Sequence, residues 1–285
     1  MADPRGWLAA AAGSAVTSWQ PAGGGHGARH YRAALADGRE IFVKAAADRT
    51  GVPAIHAQAR GLGWLCEPAG APVAGLVAAA DGLLALRWVA PGRADRAAAE
   101  RFGRELAWLH AAGAGAFGAP WAGYIASLPL LNDQAGSWPD WFARTRLLPY
   151  CAIAADRGEF GSGDVALIES VAVRIGELAG PAEPPARIHG DCWTGNVLWS
   201  AGRGWLIDPA AHGGHRETDL AMLALFGAPH LDRILAAYDE AAPLAAGWRS
   251  RVPLHQLHPL LVHVCLFGGA YREQALAAAR AALAA

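Results

Sequence analysis

The chain has 285 residues, 53% of them hydrophobic and 17% charged, with a formal net charge of −1. That content suffices for a sizeable core in one or two domains, and the balanced charge with no Lys/Arg block argues against nucleic acid or an anionic membrane as a partner. Cys66, Cys151, Cys192 and Cys265 are dispersed with no C-x-x-C pair, and apolar runs such as Val73 to Ala80 stop short of a membrane span, so the chain reads as a reduced, cytoplasmic protein.

The apolar stretch Trp7 to Val16, preceded by Asp3, reads as a first helix rather than a secretion signal. From Ser18 to Ala47 the pattern is strand-like. A glycine run, Gly23-Gly24-Gly25-His26-Gly27, sits between Trp19 and the alternating Arg29 to Ala33, and a turn at Asp37-Gly38 leads into Glu40-Ile41-Phe42-Val43-Lys44. A helix over 53–65 opens on Pro53 as an N1 proline. Strands are expected at 73–79 and 83–89, joined by Asp81-Gly82, and Pro91-Gly92 marks the boundary between a lobe over 1–90 and a lobe over 91–285. The second lobe is mostly helical. Asp95 caps a helix with Ala98, Phe102, Leu106 and Leu109 on one face and Gly113 as its stop. Further helices are expected around Leu231 to Tyr238, over 257–267 and over 272–284.

The richest chemistry lies between His189 and Asp208. Asp191 and Asn196 have the spacing of the base and the metal-binding Asn in a kinase catalytic loop. Val197-Leu198-Trp199-Ser200, Ala201-Gly202-Arg203 and Gly204-Trp205-Leu206-Ile207 then read as a β-hairpin. A turn centred on Gly202 pairs 200 with 204 and brings Asn196 opposite Asp208, where an amide oxygen and a carboxylate suit a hard divalent cation. The same three residues near a hairpin also occur as ordinary turn chemistry. Upstream, the glycine run can approach a polyphosphate through bare backbone N–H groups, and Lys44 follows it on an apolar strand, as a phosphate-contacting lysine does.

With these residues the chain resembles the fructosamine kinase (ketosamine-3-kinase) family, a branch of the aminoglycoside- and choline-kinase-like group. The resemblance is carried by Phe42-Val43-Lys44, Trp138 to Arg144, His189 to Trp199, Ile207-Asp208-Pro209-Ala210 with Gly214 to Ala221, and Pro259 to His263. It implies an α+β, two-lobed protein-kinase-like fold with a small strand-rich N-lobe and a larger helical C-lobe. It implies an ATP- and Mg²⁺-dependent kinase acting on a small-molecule or protein-bound ketosamine, in a deglycation role. Asp191 would take or orient the proton of the sugar hydroxyl, and Asn196 and Asp208 would hold Mg²⁺. Lys44 would grip the α/β-phosphates under Gly23, Gly24 and Gly25, while the Arg87 carbonyl and the Val89 N–H would reach adenine. Trp193 and His263 match positions suited to the acceptor, with loop anchoring or a structural histidine as the plainer readings. Asp219 would brace the catalytic loop, His215 would be structural, and Cys192 would be a small buried hydrophobe.

Several residues depart from that pattern. Gln58 stands where the lysine's Glu partner is usual, Arg87 replaces an acidic hinge residue, and His258 and Cys265 replace Tyr and Asn. Two other readings therefore stay open: a kinase for an aminoglycoside or amino alcohol, and a non-catalytic nucleotide-binding module.

Overall fold

The computed structural model describes residues 3–25 and 27–285. Helix α1 (Pro4–Ala12) is capped by Asp3, whose carboxylate accepts from the Arg5 and Gly6 N–H groups. It ends at Gly13 in the left-handed conformation (φ 63°). The helix is therefore earlier than the apolar run suggested, because Gly13 stops it and Val16 already opens a strand. Strands β1 (Val16–Gly25), β2 (Ala28–Leu35), β3 (Glu40–Ala46), β4 (Leu76–Ala80) and β5 (Leu83–Arg87) form one antiparallel sheet in the order β1-β2-β3-β5-β4. Helix α2 (Val52–Leu65) is inserted between β3 and β4, with Pro53 in its first turn.

Alternation along the strands divides the sheet into two faces. Ala33, Leu35, Ile41, Val43 and Ala85 pack with Leu8 of α1 on one side. Phe42, Leu84 and Leu86 turn the other way, into a core shared with Ile55, Leu62 and Leu65 of α2. Lys44, two residues after Phe42, is on this second face. The expected glycine turn is part of the ladder: Gly24 pairs with Arg29 and Gly25 with Ala28, after an irregularity between Pro21 and Gly24. His26 lies outside the described residues.

Beyond Arg87 come α3 (Arg96–Ala111), the short hairpin β6 (Gly123–Ile125) and β7 (Leu128–Leu130), and α4 (Trp138–Phe142). A π-helical segment (Ala143–Leu147) runs on into α5 (Leu148–Asp156), followed by α6 (Ser162–Val173) and α7 (Ile175–Leu178). Strand β8 (Ala186–Ile188) leads to the hairpin β9 (Val197–Ser200) and β10 (Arg203–Leu206), then to β11 (His212–Gly214), which pairs with β8. The chain closes with α8 (Arg216–Leu225), α9 (Leu231–Ala241), α10 (Trp248–Phe267) and α11 (Arg272–Ala284). Helix α10 starts nine residues before the expected Leu257 and contains Pro253 and Pro259. Each proline costs on the order of 3 kcal/mol in a helix interior. Burial of Leu254, Leu257, Leu260, Leu261 and Val264 along the same helix offsets that cost.

The segment expected as a strand from Val73 joins the sheet only at Leu76. Val73 instead bridges Leu206 of β10, with Ala74 N–H donating to the Leu206 carbonyl (2.9 Å) and Leu206 N–H to Pro72 (2.6 Å). One apolar core then continues from Leu62, Leu65 and Leu86 to Phe102, Leu106, Trp199, Leu206 and Tyr238, across Pro91-Gly92. The strand-rich part is thereby packed directly onto the β9–β10 hairpin. No helix among the described residues is long and apolar enough to cross a membrane.

Candidate active site

The loop His189–Asn196 links β8 to β9 and is tied down from below. Gly190 has φ 78°, and a Cβ there would meet the Ala210 carbonyl and come within 3.0 Å of the His212 ring, so only glycine fits. Asp219, in the first turns of α8, accepts from the His189 N–H (2.7 Å) and the Gly190 N–H (2.9 Å). It also receives the Nε2–H of His110 at 3.1 Å, while the other ring nitrogen of His110 pairs with the Tyr238 hydroxyl at 2.8 Å. Burial by itself would raise the Asp219 carboxyl; the His110 hydrogen bond and the neighbouring histidines outweigh it and hold the group below its ordinary value. His189 donates from Nε2 to the Ile207 carbonyl (2.9 Å) and accepts the Asp191 N–H at Nδ1 (3.3 Å), so it is neutral and stitches the loop to the hairpin. Cys192 is fully buried, and that burial pushes its thiol well up, so it is not a reactive thiolate.

Asp191 and Asn196 meet. The Asn196 amide donates to the Asp191 carboxylate (2.8 Å) and to its backbone carbonyl (2.9 Å). Both bonds use Nδ2, which leaves Asn196 Oδ1 as a hard oxygen donor. Burial raises the Asp191 carboxyl to about 7; the Asn196 bond works against the rise, and the nearby Asp208 carboxylate adds to it.

Lys44 Nζ donates to Gln58 Oε1 (3.0 Å) and to Asp208 Oδ1 (3.1 Å). Gln58 thus faces the lysine as the helix position implied, and the charge it lacks comes from Asp208. The hairpin register is one residue from expectation: Ser200 pairs with Arg203, Trp199 with Gly204 and Val197 with Leu206. Ala201 (φ 47°) and Gly202 (φ 72°) form a two-residue turn rather than a three-residue one. Asn196 consequently lies opposite Ile207, whose N–H donates to the Asn196 carbonyl at 3.0 Å, and not opposite Asp208. Asp208 follows in the left-handed region (φ 52°), unusual for a residue other than glycine.

At the C-terminal end of β5 Trp88 gives its N–H to the Glu40 carbonyl (3.0 Å) and Arg87 its N–H to Gly75 (2.9 Å). Strand geometry then turns the Arg87 carbonyl, like its N–H, to the side away from β3, and Val89 lies two residues past the end of the strand. The Trp193 indole, 36% exposed, lies across Gly195: a Cβ on that glycine would come within 2.6 Å of Trp193 Cζ3 and nearer still to its neighbours. The indole meets Phe226 edge-on (5.7 Å between ring centres), Phe226 tilts against His263 (5.1 Å), and His263 meets Tyr271 (4.8 Å). The two acceptor candidates are therefore joined through Phe226, a residue that nothing in the sequence pattern singles out. His110 was equally invisible there, being one histidine on an amphipathic helix.

His215, Glu217 and His255 bring potential ligand atoms within 4.8 Å of one another, yet their protons are arranged against a metal. His215 accepts the Glu217 N–H at Nδ1 (3.3 Å), which leaves the proton on Nε2. Arg251 already takes both Glu217 oxygens, at 2.6 and 2.9 Å. The group is a buried lock between α8 and α10, and His215 is structural.

The profile of the fructosamine kinase family matches residues 4–285. The chain belongs to the fructosamine kinase family. A crystal structure of a candidate fructosamine-3-kinase from Thermobifida fusca superposes with a TM-score of 0.95 at 52% identity, over 99% of this chain and 98% of that one. A probable ketoamine kinase of Synechocystis is 37% identical over 196 residues, 67% of this chain and 64% of that relative. An ADP-bound aminoglycoside phosphotransferase, at 14% identity and a TM-score of 0.64, covers 93% of this chain and shares the fold. The architecture is therefore the two-part, protein-kinase-like one: an N-terminal antiparallel sheet and a helical C-terminal part. Ketoamine kinases of this family are phosphotransferases acting on sugar hydroxyls.

Proposed function

We propose that this protein transfers the γ-phosphate of ATP to a sugar hydroxyl of a ketosamine of the fructosamine or ribulosamine type. The observation that carries the reading is the convergence of Lys44, Asp208 and Asp191: Lys44 and Asp208 are paired, and both act electrostatically on Asp191. Lys44, from the sheet, is placed for the α/β-phosphates, with Gly23 to Gly25 above them and Gln58 orienting the ammonium. Adenine would be met by the Arg87 carbonyl and the Val89 N–H. Residues 1–90 would then serve as the nucleotide lobe and 91–285 as the catalytic and acceptor lobe.

Asn196 Oδ1 and the Asp208 carboxylate are hard oxygen donors, the chemistry Mg²⁺ prefers, and they are the residues that would hold it. When bound, the ion would offset charge on the phosphates. Asp191 supplies the acceptor for the hydroxyl proton, at a carboxyl raised towards neutrality, where a general base works best. Catalysis in this arrangement is chiefly positioning and charge compensation. Trp193 and His263 would line the acceptor's sugar or amine part. A ketosamine on a small amine or a protein lysine would suit that partly open aromatic wall, consistent with a deglycation role in the cytoplasm.

The test is ATP turnover with Mg²⁺ against fructosamine and ribulosamine adducts, an aminoglycoside and an amino alcohol. Selective turnover of the ketosamines is expected. Preferential turnover of another acceptor moves the assignment to that class, and binding of ATP with no turnover of any acceptor identifies a non-catalytic nucleotide-binding protein.

A further inference from the structure

His30, on the cleft face of the sheet, is a polar side chain with no role so far. His30 on β2 is the register partner of Lys44 on β3. Cross-strand partners share a face, with Cβ atoms about 4.5–5.5 Å apart. His30 also directly follows Arg29, the partner of Gly24, and so stands between the glycine end of the hairpin and the lysine. Its ring meets Phe42 edge-on at 5.2 Å. Nε2 is covered, and among the described residues it has no hydrogen-bond partner. Lys44 Nζ, whose charge acts on the ring, is turned to Gln58 and Asp208 instead.

Packing against Phe42 would be served as well by an apolar ring. A dry, unpaired ring nitrogen opposite a cation is costly in itself, and such an atom calls for a partner that arrives from elsewhere. Burial, and secondarily the Lys44 charge, lower the His30 imidazole, so it is neutral and carries a single N–H. A neutral N–H beside a lysine ammonium complements an anionic oxygen, while two full positive charges there would repel in the free protein.

We infer that His30 is a polyphosphate-binding residue, donating a ring N–H to a non-bridging phosphate oxygen of the nucleotide gripped by Lys44. The inference rests on the nucleotide placement proposed above. It extends the phosphate site from the glycine backbone and one lysine to a third contact on β2.

The experiment is calorimetric titration of the whole protein with Mg-ATP, inorganic tripolyphosphate and adenosine. His30→Phe keeps the ring packing and removes the donor; His30→Gln keeps a donor. Expected is an affinity of His30→Phe for ATP and for tripolyphosphate weaker by about tenfold or more, the size of one lost hydrogen bond to a charged group, with adenosine affinity unchanged and most of the loss recovered in His30→Gln. Wild-type affinity of His30→Phe for both phosphates, with Lys44→Met impaired, overturns the inference and leaves the nucleotide site standing. A loss that extends equally to adenosine also overturns it, since packing would then be the cause. If Lys44→Met binds ATP as tightly as wild type, the nucleotide placement fails and the role of His30 fails with it.

Discussion

Replacing Asp191 by Asn should separate the chemistry of this site from its stability. The substitution keeps size and leaves a side-chain oxygen to accept from Asn196, which now donates to the carboxylate at 2.8 Å. It removes the proton acceptor, so turnover should fall by about 10²–10⁴-fold while Mg-ATP binding stays close to wild type. Stability should move the other way. The Asp191 carboxyl is raised from 3.8 to about 7, so the folded protein favours its neutral form. Its contribution to stability is complete below pH 3.8 and is lost as pH rises through about 7. Above that, roughly three pKa units at 1.36 kcal/mol each set a ceiling of about 4 kcal/mol on the penalty. The side chain is partly solvated, which reduces this to about 1–2 kcal/mol. Asp191→Asn should therefore be more stable than wild type at pH 8, less so at pH 5, and no more stable below pH 3.8. Urea unfolding at these pH values, with turnover at pH 8, measures both effects. A turnover rate within a few-fold of wild type removes Asp191 from the chemistry, and an equal stability gain at pH 5 and pH 8 refutes the electrostatic argument.

Asn196→Ala and Asp208→Ala should each raise the Mg²⁺ concentration needed for half-maximal turnover, Asp208→Ala more because it removes a full charge; an unchanged Mg²⁺ dependence in either variant takes that residue out of the ion site. Gln58→Glu should improve catalytic efficiency by less than about tenfold, because Asp208 already gives Lys44 a carboxylate at 3.1 Å, whereas Lys44→Met should be far more damaging; steady-state kinetics on the two variants would reverse this account by showing Lys44→Met as active as wild type. Stability should drop between pH 7 and pH 5. Burial lowers His189, His212, His215, His255 and His258, the second and third to about 3, so all five are neutral in the fold. A histidine lowered in this way contributes fully above its ordinary value of 6.5 and loses that contribution as pH falls towards the folded value. Five such groups outweigh the opposite drift of Asp191, and denaturant unfolding that shows greater stability at pH 5 than at pH 7 would contradict the balance.

What could be read in the sequence was what depends on near neighbours along the chain. Alternation and turn residues located the strands of the sheet, because period-2 patterning is imposed by burial of one face at a time. The H-G-D-x-W-x-G-N run marked out the 189–196 loop, and even its glycines have local causes: Gly190 has a positive φ, and Gly195 leaves room for the Trp193 indole. Sequence logic also paired Gln58 with Lys44. It misjudged the hairpin register, since a turn with Ala201 in the left-handed region carries no clear signal and one residue of slip displaces every later partner. It started α10 too late, because prolines mark breaks locally while the burial that overrides them comes from distant helices. The salt bridge of Lys44 with Asp208 spans 164 positions, and the brace of Asp219 on His110 spans 109. Such contacts are decided by how the sheet, α3 and α8 pack around the 189–196 loop, and no single stretch of chain contains both partners. The residue types at the site follow from the sequence; which of them share a charge, a proton or a hydrogen bond is a property of the tertiary structure alone.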